Sequence, residues 1–266
     1  MIPRRRYELP TDLARLAVAS LLRGHVADGP GPSAFEDRLR DHLHTERRGL
    51  ALRLATSGRA ALDLVLDALA VPRDATIMLP GWTFAGVADH LERRGQRLVI
   101  CDIDPATGLM TAETVAAAWR EDVRCVLVTH LCGRVADAAG IAAVAGPRGA
   151  VVIEDCAHAL GSLGADGESV GTGGHGAFFS FDVIKPVTSL GGGLALVRRS
   201  AVAAAGGGEP GEAREPDWPP CPVASRASPV LRRLVGSWLE DGLFAGPWLA
   251  PLSAALALPV TRAAAS

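Results

Sequence analysis

Two kinds of segment alternate along residues 1–200, and this alternation limits the folds open to the chain more than any other feature. Short apolar or β-branched runs predict strands, and longer segments between several of them repeat apolar residues at helical spacing. The alternation predicts an α/β protein whose sheet is mostly parallel and covered by helices on both faces. The predicted strands are 75–79, 97–102, 123–130, 150–154, 176–181 and 193–198, and the predicted helices are 59–70, 84–94, 111–120 and 137–145.

The composition changes after residue 200, and this change sets the predicted domain boundaries. Residues 1–200 form the predicted large domain, and residues 201–225, rich in Gly, Pro and Glu, predict a linker or loop. Residues 226–266 predict a short C-terminal helical segment that is too small for a second domain.

Charge and cysteine usage exclude several classes of protein. A net charge of −2 argues against a nucleic-acid partner, which usually requires a basic excess. The five cysteines show no CxxC pair and the seven histidines no HxxxH or HExxH spacing, so we expect neither a disulfide framework nor a metal site. The N-terminal residues lack the apolar stretch of a secretory signal, and a cytoplasmic location is predicted.

The uncharged segment 242–260 approaches the length of a membrane span. Pro247 and Pro251 would break a helix there, because proline lacks the backbone N–H that a helix interior requires. We therefore predict a docking or interfacial segment rather than a span, and membrane association through it stays an alternative.

Lys185 is the single lysine among 27 lysine and arginine residues. Lysine can lose its proton near neutral pH and act as an amine nucleophile, whereas arginine cannot. One stray surface lysine is the competing explanation, so its neighbours decide between the two. Ligands of open α/β sheets bind beyond the carboxyl ends of the strands, and Lys185 follows one such end.

The residues at other strand ends fit a pyridoxal phosphate site. Such a site needs a lysine amine, which Lys185 offers, and a carboxylate that keeps the pyridine nitrogen protonated, which Asp155 offers. A phosphate requires an anion site, and a flat side chain commonly covers the ring. The candidates for phosphate binding are Ser57, Gly58 and Arg59 at a helix start and Ser180 near the lysine, and the candidate for ring stacking is Trp82.

Each candidate also has an ordinary structural explanation. An aspartate at a strand end is often a turn residue, and Ser-Gly before an apolar helix is often only a cap. Trp82 alone is typical of a packing residue, and His158 alone of a hydrogen-bonded polar residue. Their arrangement around the single lysine favours the cofactor site.

The chain resembles the DegT/DnrJ/EryC1/StrS sugar aminotransferases, which are fold-type I pyridoxal phosphate enzymes. The resemblance runs from about residue 30 to residue 198, and its motifs occur in the family's order. They are "TSGRAALDLVLDAL", "LPGWTFAGVADHLERRGQRLVICDIDPATGLMTAETV", "VTHLCGRVADAAGIAAVA", "VVIEDCAHALGS" and "GAFFSFDVIKPVTSLGGGLALV".

The resemblance implies a role for each candidate. Lys185 corresponds to the amine that bonds to the cofactor and shuttles a proton, and Asp155 to the partner of the pyridine nitrogen. His158 stands near the cofactor's ring oxygen and Trp82 at the stacking position. The phosphate positions are Ser57, Gly58 and Ser180.

The resemblance also implies a reaction. It moves an amino group from glutamate or glutamine to a keto group, typically of a nucleotide-linked sugar. The family's sites lie between subunits, which implies a homodimer.

Three departures from the family pattern keep an alternative open. Arg59 stands where threonine is common, "LGGG" replaces "GEGG", and the chain ends before the family's small C-terminal domain. The alternative is a truncated or degenerate relative that binds the cofactor or a partner without transamination. A nucleotide-binding enzyme that uses "LGGG" is disfavoured, because no GxGxxG opens a helix here.

Overall fold

The computed structural model describes residues 30–182, 185, 191–207 and 212–219, all within the compact unit Met1–Ser225. The predicted segments 226–266 and 242–260 lie outside these residues, and the predicted linker 201–225 is described only in part. The domain boundaries therefore stay a prediction.

Helices and strands alternate through the described residues. The strands are β1 (Leu50–Ala55), β2 (Thr76–Pro80), β3 (Arg97–Cys101), β4 (Val123–Thr129), β5 (Val151–Asp155), β6 (Gly176–Ser180) and β7 (Gly193–Arg198). The helices are α1 (Pro30–His42), α2 (Gly58–Ala68), α3 (Ala85–Arg94), α4 (Ala112–Ala117), α5 (Ala138–Ala145) and α6 (Arg199–Ala205), with a 3-10 turn at Gly146–Arg148.

The described strands form one mixed sheet in the order β1-β7-β6-β5-β4-β2-β3. The pairs β2–β3, β2–β4, β4–β5 and β5–β6 are parallel, whereas β7 is antiparallel to both β1 and β6. Because β7 alone is reversed, the carboxyl ends of the other six strands meet at one edge. The predicted α/β class with a mostly parallel sheet is confirmed, and the reversed strand is an addition to it.

Apolar side chains bury both faces of the sheet. On one face, Leu62, Val65 and Leu66 of α2 pack in a cluster with residues of β4, β5 and β6. On the other, α4 and α5 contribute to a second cluster, and α1 packs in a third cluster with Phe179 and Phe181. The helical spacing of the α2 leucines and valine therefore indicated their buried face correctly.

The sequence pattern did not indicate β1. Its sequence, LALRLA, carries the partly buried Arg53 in the middle of an apolar run. Among the described strands β1 pairs only with β7, and an edge position of this kind accepts a charged side chain.

No helix of the described residues is long and apolar enough to cross a membrane.

Candidate active site

Ser57, Gly58 and Ser180 meet where α2 begins, and we call these three residues the cradle. Ser57 is the N-cap of α2 and its hydroxyl accepts a hydrogen bond of 3.2 Å from Ala60 N. A Cβ atom at Gly58 would lie 2.9 Å from Ser180 Cβ, so the end of β6 packs directly on the helix start. The structure thus brings together residues that are far apart in the sequence.

Gly193 makes this close packing possible. A Cβ atom at Gly193 would overlap the Ser57 carbonyl oxygen and lie 2.6 Å from the Ser57 carbonyl carbon. In the sheet, Gly193 pairs with both Ala55 of β1 and Ser180 of β6. Only glycine fits between two strand ends that must both reach the helix start. The Gly-Gly-Gly run was the signal for this role, but its partner could not be read from the sequence.

The cradle has the properties of an anion site. The first backbone N–H groups of a helix have no partner within the helix, and the helix dipole places partial positive charge there. Arg59 is exposed in the first turn of α2 and adds a full positive charge beside those groups. A phosphate group is the type of ligand that such a helix start binds.

Asp155 ends β5 and is only 4% exposed. Its carboxyl group accepts a 3.0 Å hydrogen bond from Ala157 N. Burial raises the pKa of Asp155 to about 6, although the Ala157 hydrogen bond and the charge of Lys185 both oppose the rise. A buried carboxyl group of this kind gains most from a ligand that brings its own positive charge or N–H donor.

Lys185 and His158 are partly buried and lie in the electrostatic field of one another. Burial lowers the pKa of the Lys185 amine, while the carboxylates of Asp155 and Asp182 oppose the shift. Burial, followed by the charge of Lys185, also lowers the pKa of His158. We refer to Asp155, Lys185 and His158 as the carboxylate cluster; it combines a buried carboxyl group with an amine and an imidazole whose pKa values are lowered by burial.

Trp82 stands beyond the end of β2 and is 56% exposed. A Cβ atom at Gly108 would lie 2.6 Å from Trp82 Cζ3, so the indole packs against the Gly108 backbone. The next residue, Thr83, shares a 3.0 Å hydrogen bond with Thr129, and Thr129 is the sheet partner of Asp155. The loop that carries Trp82 is therefore fastened to the strand beside Asp155. Sequence analysis assigned neither threonine a role, although both lie within motifs that carry the resemblance.

The residues at this edge fit pyridoxal 5′-phosphate. The buried carboxyl group of Asp155 lacks a positively charged hydrogen-bond donor in the described structure, and a pyridinium N–H is such a donor. The cradle supplies backbone N–H groups for a phosphate at the same edge, where Ser180 ends β6, the strand next to β5. An amine, a buried carboxyl group and an anion site on a mostly parallel sheet define the large domain of a fold-type I pyridoxal phosphate enzyme.

Comparison with known proteins places the chain within this class. Residues 11–205 match the DegT/DnrJ/EryC1/StrS aminotransferase family, and the chain belongs to that family. It is 34% identical over 191 residues to an L-glutamine:2-deoxy-scyllo-inosose aminotransferase from Streptomyces kanamyceticus, a match that covers 70% of this chain and 44% of the relative. It is also 32% identical to a dTDP-4-dehydro-2,3,6-trideoxy-D-glucose 4-aminotransferase from Saccharopolyspora spinosa, covering 62% of this chain and 42% of the relative.

A solved structure agrees on the fold. A putative sugar aminotransferase from Streptococcus pneumoniae, solved in its PLP form, superposes with a TM-score of 0.67 at 24% identity, over 76% of this chain and 54% of that one. The family and its cofactor-bound structures identify pyridoxal 5′-phosphate as the cofactor of the site. The chain spans less than half the length of the curated relatives that it matches.

Proposed function

We propose that this chain carries the cofactor-binding part of an aminotransferase that transfers an amino group from glutamate or glutamine to the keto group of a nucleotide-linked sugar or a similar keto substrate. The observation that carries the proposal is the pairing of Lys185, whose pKa is lowered, with the buried Asp155 at the edge that also holds the cradle. The names of the relatives support the sugar-like substrate, and one of them names L-glutamine.

Asp155 holds the pyridine nitrogen of the cofactor in its protonated form. When bound, the protonated ring supplies an electron sink for the bond that breaks at the substrate carbon. Because burial disfavours an isolated carboxylate, Asp155 forms a strong ion pair when a pyridinium N–H reaches it.

Lys185 acts as the nucleophile and the proton carrier. Partial burial favours the neutral amine, which can attack a carbonyl carbon and can later remove a proton from the α-carbon of the amino donor. His158 would orient the cofactor by hydrogen bonding to its ring oxygen, as the resemblance implies.

The cradle binds the phosphate. The hydroxyl groups of Ser57 and Ser180 and the backbone of Gly58 would hold it, and the exposed Arg59 would add positive charge beside it. Trp82 covers one face of the ring, with its indole supported by Gly108. Assembly as a homodimer, which the resemblance implies, and the cytoplasmic location predicted from the sequence belong to the same proposal.

Visible absorption of the protein loaded with pyridoxal phosphate tests the proposal. The wild type is expected to show the band of lysine-linked cofactor and to lose it when glutamate or glutamine is added. Lys185→Ala is expected to show free cofactor only. Lys185→Arg keeps the positive charge without the nucleophile, so it should behave like the alanine variant. A lysine-linked band that neither amino donor changes would contradict the transferase proposal, and a band that survives in both variants would contradict the role of Lys185.

A further inference from the structure

A second buried polar group lies one residue from Asp155. Glu154 and His130 stand at the ends of the neighbouring strands β5 and β4 and are 2% and 1% exposed. Glu154 Oε2 lies 2.9 Å from His130 Nε2. Successive side chains of a strand point to opposite faces of the sheet, so this pair occupies the face that Asp155 does not use.

The Glu154 carboxylate also fastens the turn that precedes β6. Oε2 accepts a 2.9 Å hydrogen bond from Gly171 N, and Oε1 accepts bonds of 2.9 Å and 2.7 Å from Gly173 N and Gly174 N. Four N–H donors, including that of His130, therefore point at two carboxylate oxygens. This pattern is that of an ionised carboxylate whose burial is compensated by hydrogen bonds.

The protonation state of His130 follows from its two partners. Its Nδ1 accepts a 3.1 Å hydrogen bond from Ala136 N, which leaves Nε2 as the nitrogen that carries the proton and donates to Glu154. Cys156 completes a group whose potential metal ligands lie within 4.8 Å of one another. Hydrogen bonds already occupy both ring nitrogens of His130 and both carboxylate oxygens of Glu154. We call this hydrogen-bonded pair the clamp, because it joins β4, β5 and the turn that precedes β6.

The clamp acts on the backbone of Asp155. The backbone N–H of His130 donates a 3.0 Å hydrogen bond to the Asp155 carbonyl, and Cys156 N donates one of 2.9 Å to Phe178 O of β6. The carbonyl group of Asp155 and the N–H group of Cys156 are thereby fixed to the ends of the two neighbouring strands. The orientation of the Asp155 carboxyl group depends on these contacts, because its own side chain accepts only the Ala157 bond among the described residues.

We propose that His130 and Glu154 are positioning residues for Asp155, which hold the strand end from which its carboxyl group meets the cofactor ring. The inference rests on the proposed role of Asp155. Glu154→Gln tests it, since in either orientation the new amide would direct its NH₂ group at backbone N–H donors.

Two measurements below the melting temperature of each variant give the result: the Kd for pyridoxal phosphate and the absorption maximum of the lysine-linked cofactor. Glu154→Gln is expected to weaken binding by about tenfold, as when a residue that orients a ligand is lost. Its absorption maximum is expected to shift toward that of Asp155→Asn. Glu168→Gln is the matched control, because Glu168 lies in the segment between β5 and β6 that also contains Gly171, and its side chain is 50% exposed and pairs with Arg48.

A histidine pair keeps the test decisive if Glu154→Gln does not fold. His130→Gln retains an N–H donor that can reach Glu154, whereas His130→Asn retains only the acceptor for Ala136. We expect the glutamine variant to preserve the wild-type Kd and absorption maximum and the asparagine variant to lose them.

Three outcomes would overturn the inference. The first is a wild-type Kd and absorption maximum in Glu154→Gln, with only a lower melting temperature, because the clamp would then be structural and independent of the ring. The second is one equivalent of zinc in the purified protein that is lost in His130→Asn. The third is a wild type that binds no cofactor, which also overturns the proposed function and is thereby distinguishable from the first two.

Discussion

The carboxylate cluster and the cradle lie at the same edge of one sheet, but the cluster consists of ionisable side chains and the cradle mainly of backbone groups. The cluster brings ionisable side chains into partial or full burial, and the pKa of Asp155 rises to about 6 as a result. The cradle instead relies on the backbone of a helix start and on a glycine that lets two strand ends approach it. The carboxylate cluster thus depends on the ionisation of buried side chains, whereas the cradle depends on close backbone packing.

This difference determines how the carboxylate cluster and the cradle affect the free energy of unfolding when the cofactor is absent. A buried carboxyl group with a raised pKa destabilises the folded protein near neutral pH, since the unfolded chain ionises it more easily. Backbone N–H groups at a helix start do not titrate, so they carry no such pH-dependent penalty. We therefore expect substitutions in the cluster to change pH dependence and substitutions in the cradle to change packing.

Asp155→Asn should produce the largest effect on apo-protein stability. The folded pKa of about 6 lies above the ordinary value of 3.8, so wild-type stability falls as pH rises between these values. The asparagine variant lacks this fall, and at pH 7 its free energy of unfolding should exceed that of the wild type by on the order of 3 kcal/mol. Urea unfolding from pH 4 to pH 8 measures the difference.

The same substitution, although it stabilises the protein without cofactor, should impair its activity once cofactor is present. Loss of the ion pair to the ring should lower the transamination rate by on the order of 10³-fold, the scale for removal of a group that stabilises developing charge. Asp74→Asn, at an exposed position, is the control and should change neither property. An unfolding curve for Asp155→Asn that keeps the wild-type pH dependence would contradict the electrostatic account of the carboxylate cluster.

Gly193→Ala tests the cradle. The added methyl group would overlap backbone atoms of Ser57, which cannot move without displacing the start of α2. We expect the free energy of unfolding to fall by about 2 kcal/mol at every pH, since overpacking costs of this size do not depend on ionisation. Thermal and urea unfolding at two pH values measure the effect.

Gly206→Ala is the matched control for that substitution. The nearest atom to a Cβ at Gly206 belongs to the flexible end of the Arg214 side chain, which can move away. Its stability should stay within about 0.5 kcal/mol of the wild type. A Gly193→Ala variant as stable as this control would show that the strand ends approach the helix less closely than we describe.

Arg59→Gln should produce the smallest effect. The side chain is exposed, so its charge acts on a bound phosphate through water and ions. We expect the Kd for pyridoxal phosphate to rise by about threefold at low salt and to match the wild type at high salt. Arg73→Gln, which is also exposed, serves as the control for net charge, and an equal effect of both substitutions would show that Arg59 has no specific role beside the cradle.

The sequence pattern was sufficient for most of the fold. The strands and helices predicted within residues 59–198 are all present, with ends displaced by at most a few residues, because apolar periodicity reports burial directly. It was insufficient for β1 and for the reversed direction of β7. Strand direction depends on pairing with distant segments, and periodicity carries no information about it.

Candidate site residues could be selected from the sequence where a residue type is chemically distinctive. Lys185 and Asp155 stood out because few other side chains perform their chemistry. Thr129, Glu154 and His130 did not, since their significance lies in partners from other elements. Glu154 in particular is meaningful only beside the N–H groups of residues 171–174, which the fold brings to it. The roles assigned to the site residues stay predictions until the variants are measured.

The reversed strand β7 also has a consequence for the order in which the protein is made. Gly193 completes the cradle, yet β7 leaves the ribosome after every other strand of the described sheet, and β1 must wait for it to find a partner. Contacts between such distant segments form late in folding. A nascent chain that has emerged only as far as β6 would therefore possess Asp155 and the helix start without the strand that joins them. The ability to capture cofactor would arise abruptly near the end of translation of this domain.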